Sequence, residues 1–133
     1  MNNKGFTLIE LIATIALLAI ISIISFVSVN AVVEKNKVND CNSLAGSIKT
    51  AAKEYMSDNR YNRNFINGIS NYKYELDAST LISNNYLTSP IVNPFTKEVI
   101  APNTIKIEVE LYNNYTVKSV SIKEPSLLIN CTN

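Results

Sequence analysis

The N-terminal part of the chain carries a long apolar segment. It extends from Phe6 to Val33 with Glu10 as its single charged residue, and no residue from Leu11 to Val29 is charged. A helix needs about 20 apolar residues to cross the ~30 Å hydrocarbon core of a bilayer. The pattern therefore predicts a membrane-spanning helix over residues 6–33.

Beyond Val33 the apolar residues keep helical spacing but lie on one face only. We expect one continuous helix from Phe6 to about Asn59, roughly 80 Å long, followed by a polar, Asn-rich loop that extends to Asn71. Charged residues lie off the apolar stripe, as in an amphipathic helix that needs a cover. The stripe comprises Val38, Cys41, Leu44, Ala45, Ile48, Ala51, Ala52, Tyr55 and Met56.

The remaining residues show a β pattern. Residues 72–76 alternate weakly, a short helical turn is expected over 78–84, and residues 86–103 contain three prolines and are predicted as loop. Apolar and charged residues alternate clearly over 105–111, and the partner strand of a hairpin is expected over 115–122. Asn113 and Asn114, which lie between the two predicted strands, tolerate the positive φ of a tight turn. A hairpin that covers the helical stripe gives an α+β fold.

Composition and charge restrict the function. The chain has 133 residues, a formal net charge of +1 and no histidine. This length allows one small soluble domain, and the lack of histidine removes the commonest general base and metal ligand. No cofactor and no metal are predicted. Asn, Ile and Lys are abundant, as expected from AT-rich bacterial codons.

A short basic and aromatic cluster lies in the Asn-rich loop. Arg60, Tyr61, Arg63 and Phe65 alternate there, a combination that can stack on single-stranded nucleic acid. A solvated connection or a contact between subunits accounts for the same residues. We favour that interpretation and predict no specific nucleic-acid partner.

The N-terminal segment is not an ordinary secretory signal. Only MNNKG precedes the apolar run, the run is too long for the apolar region of such a signal, and no A-x-A-like site follows it. Lys4 and the initiator amine favour a cytoplasmic N-terminus and export of the residues after Val33, although Lys35 and Lys37 reduce this bias.

The stretch Lys4-Gly5-Phe6-Thr7-Leu8-Ile9-Glu10 resembles the class III signal of type IV pilins and pseudopilins. The likeness is close over the first thirty or so residues and architectural beyond them, and it favours a Gram-positive source. It implies that a prepilin peptidase cuts after Gly5 on the cytoplasmic face, that Phe6 becomes the methylated N-terminus, and that Glu10 acts in filament assembly. It also implies the pilin fold, with a leader at 1–5, a filament-core helix at 6–33, and the amphipathic half-helix plus extracellular head at 34–133.

Glu10 has no basic residue within the apolar run to pair with. A carboxylate deep in a membrane costs about 2–3 kcal/mol, so it usually has a function and a partner. Cleavage creates an ammonium on Phe6, and we expect Glu10 to pair with the Phe6 amine of a neighbouring subunit in the low-dielectric filament core. An interfacial Glu10 that reaches the lipid headgroups is the alternative.

The resemblance implies several partners. They are other copies of this chain and other pilins in a helical filament, the prepilin peptidase, the inner-membrane assembly platform and, before assembly, the cytoplasmic membrane. The assembled filament is expected at the cell surface.

The second half of the apolar run departs from many major pilins, which carry Gly and Pro there. The first proline of this chain is Pro90. One consequence is that the helix need not break. The alternative is that the chain is a minor pilin or a pseudopilin-like member of the family. Small residues recur at every third place and would permit close helix packing, although composition alone also accounts for them. They are Ala13, Ala16, Ala19, Ser22, Ser25, Ser28 and Ala31.

The chain has two cysteines, Cys41 on the helical stripe and Cys131 near the C-terminus. Without histidine or a second cysteine pair, a zinc site is not predicted. An exported chain can keep a disulfide, and pilin-like proteins often close their C-terminal segment with one, so the resemblance implies a Cys41–Cys131 bridge. Two unpaired thiols are the alternative.

Three functions follow from these observations. The first is a structural subunit of a type IV pilus, and the second is a pseudopilin of a secretion or DNA-uptake system. The third is a membrane-anchored extracellular binding domain or enzyme. It has little support, because no nucleophile, base and oxyanion donors can be assembled from so short a head.

Overall fold

A computed structural model describes residues 5–62, 66, 69, 71–124 and 128, without the side chains of residues 25–28 and 124. Two compact units are distinguished, one up to Asn36 and one from Lys37 onward. The elements in chain order are α1 (Leu8–Asn59), β1 (Lys73–Asp77), α2 (Ala78–Ser83), β2 (Ile91–Val92), β3 (Val99–Ile100), a 3-10 turn (Pro102–Thr104), β4 (Lys106–Leu111) and β5 (Val117–Glu124). The predicted α+β class is confirmed.

Helix α1 agrees closely with the predicted helix. It comprises 52 residues, Leu8–Asn59, and begins just after Thr7 because Thr7 is its capping residue. The carbonyl of Thr7 accepts a helical hydrogen bond from the N–H of Leu11 at 3.2 Å. No proline lies within the helix to break its hydrogen-bond ladder. By length and composition, α1 is able to cross a membrane.

Strands β1, β4 and β5 form an antiparallel sheet with β4 in the centre. Along β4 the apolar residues are buried and the charged ones face outward, and Val109 lies opposite Tyr74 of β1 and Val120 of β5. The predicted hairpin is confirmed, although β5 begins at Val117 rather than Tyr115. The weakly predicted strand and the helical turn are present as β1 and α2.

The hairpin turn differs from the prediction. A positive φ was expected at Asn113 and Asn114, but Tyr115 adopts it instead, with φ at 61°. The Oδ1 atom of Asn114 accepts hydrogen bonds from the N–H and the hydroxyl of Thr116, at 3.1 and 2.6 Å. This side-chain turn occupies Asn114, and the left-handed residue follows it.

Residues 86–103, predicted as loop, contain a second sheet of two short strands. Ile91 of β2 lies opposite Ile100 of β3, and Asn93 closes the connection by accepting the N–H of Phe95 on its Oδ1 at 2.8 Å. The prediction was wrong here because the prolines flank the paired residues rather than interrupt them. Strands of two residues also carry no readable alternation.

The core of the second unit lies between one face of α1 and the inner faces of the strands. Cys41, Ile48 and Ala52 of α1 are fully buried, so the predicted stripe does meet the sheet. The rest of the cluster consists of Ala45, Ala51, Met56, Leu76, Ala78, Leu81, Ile91, Ile105, Ile107, Val109, Leu111, Ile122 and Leu128. The long N-terminal helix thus packs a small antiparallel sheet, as expected for the pilin fold.

Candidate functional site

The residues predicted for processing lie just before α1. The Phe6 side chain is 87% exposed, and Gly5 precedes it outside any regular element. No other part of the described chain lies within 4 Å of the place where a Cβ on Gly5 would stand, and the φ of Gly5 is not positive. The described structure therefore gives no internal reason for glycine at this position. Lys4 lies outside the described residues.

Glu10 is held by Thr7 of its own chain. Its Oε2 atom accepts hydrogen bonds from the N–H and the hydroxyl of Thr7, both at 2.9 Å. In return, the Thr7 hydroxyl oxygen accepts the N–H of Glu10 at 3.4 Å. This reciprocal pair is a capping box, which satisfies donors that the first helical turn leaves open. A carboxylate at this end of a helix is also stabilised by the helix dipole.

The sequence reasoning missed this partner because it considered only basic residues. The signal was present, since Thr7-Leu8-Ile9-Glu10 has the T-x-x-E spacing of a capping box before an apolar run. The N–H of Thr7 belongs to the bond between Phe6 and Thr7, so cleavage after Gly5 leaves the cap intact.

The carboxylate of Glu10 retains capacity for a second partner. Both hydrogen bonds from Thr7 end on Oε2, and no described residue donates to Oε1. A carboxylate offers about four lone-pair sites over its two oxygens. Glu10 can therefore accept a further donor without releasing Thr7.

The surface of α1 within the first unit is apolar. Leu8, Leu18 and Ile23, for example, are 76%, 63% and 70% exposed. The polar hydroxyls turn back onto the helix, where Thr14 donates to the carbonyl of Leu11 at 2.8 Å and Ser22 to that of Leu18 at 2.7 Å. Such internal bonding suits a helix surrounded by lipid or by other helices. The side chains of Ser25 and Ser28 lie outside the description.

Of the two cysteines predicted to form a bridge, only Cys41 lies within the described residues. Cys41 is fully buried in the core. Cys131 lies outside the described residues, so its pairing with Cys41 remains a prediction. Across the described ranges, no three His, Cys, Asp or Glu residues come together as metal ligands.

Charged residues form a network on the outer face of the three-stranded sheet. Glu75 and Glu108 lie directly opposite each other, and the ammonium of Lys123 lies 2.9 Å from the first and 2.8 Å from the second. Hydrogen bonds from Lys123 and Lys73 lower the pKa of Glu108, and the contacts with the two carboxylates raise the pKa of Lys123. The network thus compensates the like charges that the strand register brings together.

The basic and aromatic cluster is described only in part. The Arg60 guanidinium stacks on the Tyr61 ring, with Cζ 4.5 Å from the ring centroid. Arg63 and Phe65 lie outside the described residues. Arg60 also lines a cleft in the second unit that the sequence did not indicate.

Comparison with known families identifies the N-terminal segment. Residues 1–26 match the family model of the prokaryotic N-terminal methylation motif, which confirms the predicted class III signal of type IV pilins and pseudopilins. No curated protein and no solved structure matches the chain. The motif implies processing by a prepilin peptidase and handling by a pilus-type assembly machinery, and with the apolar helix it fits a membrane-anchored precursor. The motif is typical of structural, pilin-type proteins.

Proposed function

We propose that this chain is a structural subunit of a type IV pilus, assembled by bundling of its N-terminal helix after cleavage of the leader 1–5. The observation that carries the proposal is the methylation motif at residues 1–26. The motif includes the first turns of an exposed apolar helix, and a compact head follows this apolar part along the chain. In this proposal, residues 6–33 form the filament core and residues 34–133 the amphipathic half-helix and extracellular head.

The environment of Gly5 supports cleavage after this residue. Nothing in the described chain crowds the place where a Cβ on Gly5 would stand, so the backbone at this residue is open to an enzyme. A peptidase that binds the backbone closely at the cleaved bond favours glycine, because a residue without a side chain allows that approach. Phe6 then becomes the N-terminus, and its exposed position leaves the new amine open to methylation.

Glu10 is the assembly residue in this proposal. The amine created on Phe6 remains positively charged when methylated, and Oε1 of a neighbouring Glu10 is open to accept it. In the filament core, an unpaired charge costs several kcal/mol whereas a hydrogen-bonded pair is tolerated. Pairing therefore fixes the axial register of adjacent helices. Thr7 is a positioning residue, since it holds the carboxylate at the start of α1 through Oε2.

A Cys41–Cys131 bridge belongs to the same proposal. Cys41 is buried on the face of α1 that meets the sheet, so a bridge from it would tie the C-terminal tail over the hairpin to the helix. Closing a loop of about 90 residues stabilises a chain by up to about 4–5 kcal/mol in the entropic model. This supports a head that withstands shear outside the cell.

The test is mass spectrometry of the surface protein. Cells that build filaments are sheared, and the N-terminal peptide of this chain is analysed in the sheared fraction and in the membrane fraction. We expect a peptide that begins at Phe6 with one added methyl group in both fractions. In a strain without the prepilin peptidase, the intact leader should remain and the sheared fraction should be empty. An intact MNNKG leader in surface filaments would contradict the proposal.

The same experiment separates the pilus subunit from the pseudopilin. The run from Leu17 to Asn30 lacks the Gly and Pro of many major pilins, which is the observation that favours a pseudopilin. A processed, methylated chain that stays in the membrane fraction and never enters sheared filaments would support the pseudopilin and exclude the pilus subunit.

A further inference from the structure

A cleft lies in the second unit between the C-terminal turns of α1 and the beginning of β5. Its volume is about 390 Å³, and it is lined by Lys53, Glu54 and Arg60 on one side and by Tyr115 and Lys118 on the other. A volume of this size lies at the lower end of the range for small-ligand sites. It is large enough for one ring-sized group with its substituents, not for a folded partner.

Cationic groups outnumber carboxylates among the described residues that line the cleft. Lys53, Arg60 and Lys118 contribute three positive charges against the one negative charge of Glu54. Arg60 is in contact with the ring and the hydroxyl of Tyr61 rather than with a carboxylate, and such stacking leaves the guanidinium charge in place. The cleft therefore favours an anionic ligand.

The charge of Lys118 is only partly compensated. Its ammonium lies 3.5 Å from the Oε2 atom of Glu110, and the other oxygen of Glu110 lies 3.8 Å from Lys73. One exposed carboxylate thus serves two lysines. Since exposed ion pairs of this kind are weak, Lys118 remains available to an anion at the mouth of the cleft.

Two tyrosines next to the cleft have unusual backbone conformations. Tyr115 and Tyr72 adopt φ values of 61° and 57°, in the left-handed region that bulky residues rarely occupy. Their rings lie 6.4 Å apart at an angle of 40°, and Tyr72 is 47% exposed. Strain of this kind clusters at ligand-binding positions. Tyr115 lines the cleft together with the cationic groups, and a flat, partly apolar ring can stack on its aromatic face.

We propose that this cleft binds an acidic saccharide, namely a sugar ring that carries a carboxylate. Lys53, Arg60 and Lys118 would hold the carboxylate, and Tyr115 offers its ring to the apolar face of the sugar. The carboxylate of Glu54 decides between this ligand and a phosphate polymer. It repels the negative charge of either ligand, but a sugar ring also brings hydroxyl donors that the carboxylate of Glu54 accepts, whereas a phosphate diester has no donor to offer it. The proposal concerns the head alone and does not depend on the assembly mechanism.

The experiment is calorimetric titration of the full-length protein in detergent micelles at low salt with trigalacturonate. We expect binding with a dissociation constant of about 0.1 to 1 mM. Galactotriose, which has the same number of rings but no carboxylate, should bind about tenfold more weakly or not at all. A single-stranded oligothymidylate should also bind more weakly than trigalacturonate, because of Glu54.

Charge-removing variants assign the binding to the cleft. Lys53→Gln and Lys118→Gln should each weaken trigalacturonate binding about three- to tenfold. Lys97→Gln removes the same charge from an exposed turn outside the cleft and should leave the affinity unchanged. All three lysines are exposed, so tyrosine fluorescence should show a folded head in each variant.

Four results would overturn the proposal. They are the absence of binding up to about 10 mM, equal affinity for galactotriose, tighter binding of the oligothymidylate, and an equal loss of affinity in Lys97→Gln. Tighter binding of the oligothymidylate would identify the cleft as a nucleic-acid site. An equal loss of affinity in Lys97→Gln would show that trigalacturonate binding depends on the net charge of the protein and not on the cleft.

Discussion

Asp77 offers the sharpest prediction for the stability of the head, because it joins β1 to α2 through a single side chain. Its Oδ1 atom accepts the N–H of Thr80 at 3.0 Å, the hydroxyl of Thr80 at 2.9 Å and that of Ser79 at 2.7 Å. Lys106 lies 3.5 Å from Oδ2. Replacement of an N-cap aspartate by alanine typically costs about 1 kcal/mol, and up to ~2 when the cap is well bonded. We therefore expect Asp77→Ala to lower the free energy of unfolding by about 1–2 kcal/mol at neutral pH.

The pH dependence of this effect follows from the carboxylate. Partial burial raises the pKa of Asp77, but the hydrogen bonds from Ser79 and Thr80 and the charge of Lys106 outweigh it, so the pKa falls from 3.8 to about 2. A pKa shift of this size corresponds to a contribution of about 2.4 kcal/mol at most to the free energy of unfolding. The Asp77 side chain is 23% exposed, and screening by solvent reduces this contribution to about 1 kcal/mol. Because the folded pKa is the lower one, this stability is present above pH 3.8 and is lost as the pH falls toward 2.

The assay is urea unfolding of the full-length protein in detergent, followed by tyrosine fluorescence. All seven tyrosines lie between Tyr55 and Tyr115, so the signal reports on the head and not on the membrane helix. The difference in the free energy of unfolding between wild type and Asp77→Ala should be largest near pH 6 and should shrink as the pH approaches 2. Asp40→Asn, at an exposed carboxylate of α1, is the control and should differ little from wild type. If Asp77→Ala lowers the free energy of unfolding by the same amount near pH 6 and near pH 2, or does not lower it at pH 6, the account of Asp77 is refuted.

Two further predictions concern the N-terminal cap and the cysteines. Thr7→Val preserves the side-chain shape but removes the hydroxyl from Glu10, so membrane insertion should be unchanged while filament yield in the sheared fraction falls; yields equal to wild type would show that this hydroxyl does not position the carboxylate. Cys131→Ser in exported protein should lower the free energy of unfolding by up to about 4–5 kcal/mol under non-reducing conditions, measured by the same fluorescence assay. An unchanged midpoint, together with free thiols at Cys41 and Cys131 in the exported wild-type protein, would exclude the bridge.

The elements that could be predicted from the sequence are those whose pattern repeats over several turns or pairs. The stripe that contains Cys41, Ile48 and Met56 is long enough to show helical spacing, and the alternation through Val109 is long enough to show a strand. The two-residue strands β2 and β3 are too short to carry a period. Their pairing depends on the side-chain turn at Asn93. The sequence analysis missed this turn because it interpreted the nearby prolines as signs of a loop.

At the candidate site, the contiguous motif recognised in the sequence is confirmed over residues 1–26. The roles of Gly5, Phe6 and Glu10 within it stay predictions, and the sequence analysis did not find all of their contacts. The capping role of Thr7 was also encoded locally, in its spacing from Glu10, but the search for a countercharge passed over a neutral partner. The cleft that contains Lys53 could not be predicted, because its two sides are distant in sequence and only the packed head brings them together.

The exchange of Glu10 for other residues tests the central claim most directly, namely that this carboxylate pairs with the Phe6 amine of a neighbouring subunit. The measurement compares the membrane pool with the sheared surface fraction for wild type, Glu10→Ala, Glu10→Gln and Glu10→Asp. All variants should be inserted, since removal of the charge makes the monomer more compatible with the bilayer. Glu10→Ala and Glu10→Gln should be nearly absent from filaments, because the neighbour's ammonium is left buried without a countercharge at a cost of several kcal/mol, and Glu10→Asp should recover assembly in part. Wild-type filament yields from Glu10→Ala would contradict the pairing mechanism.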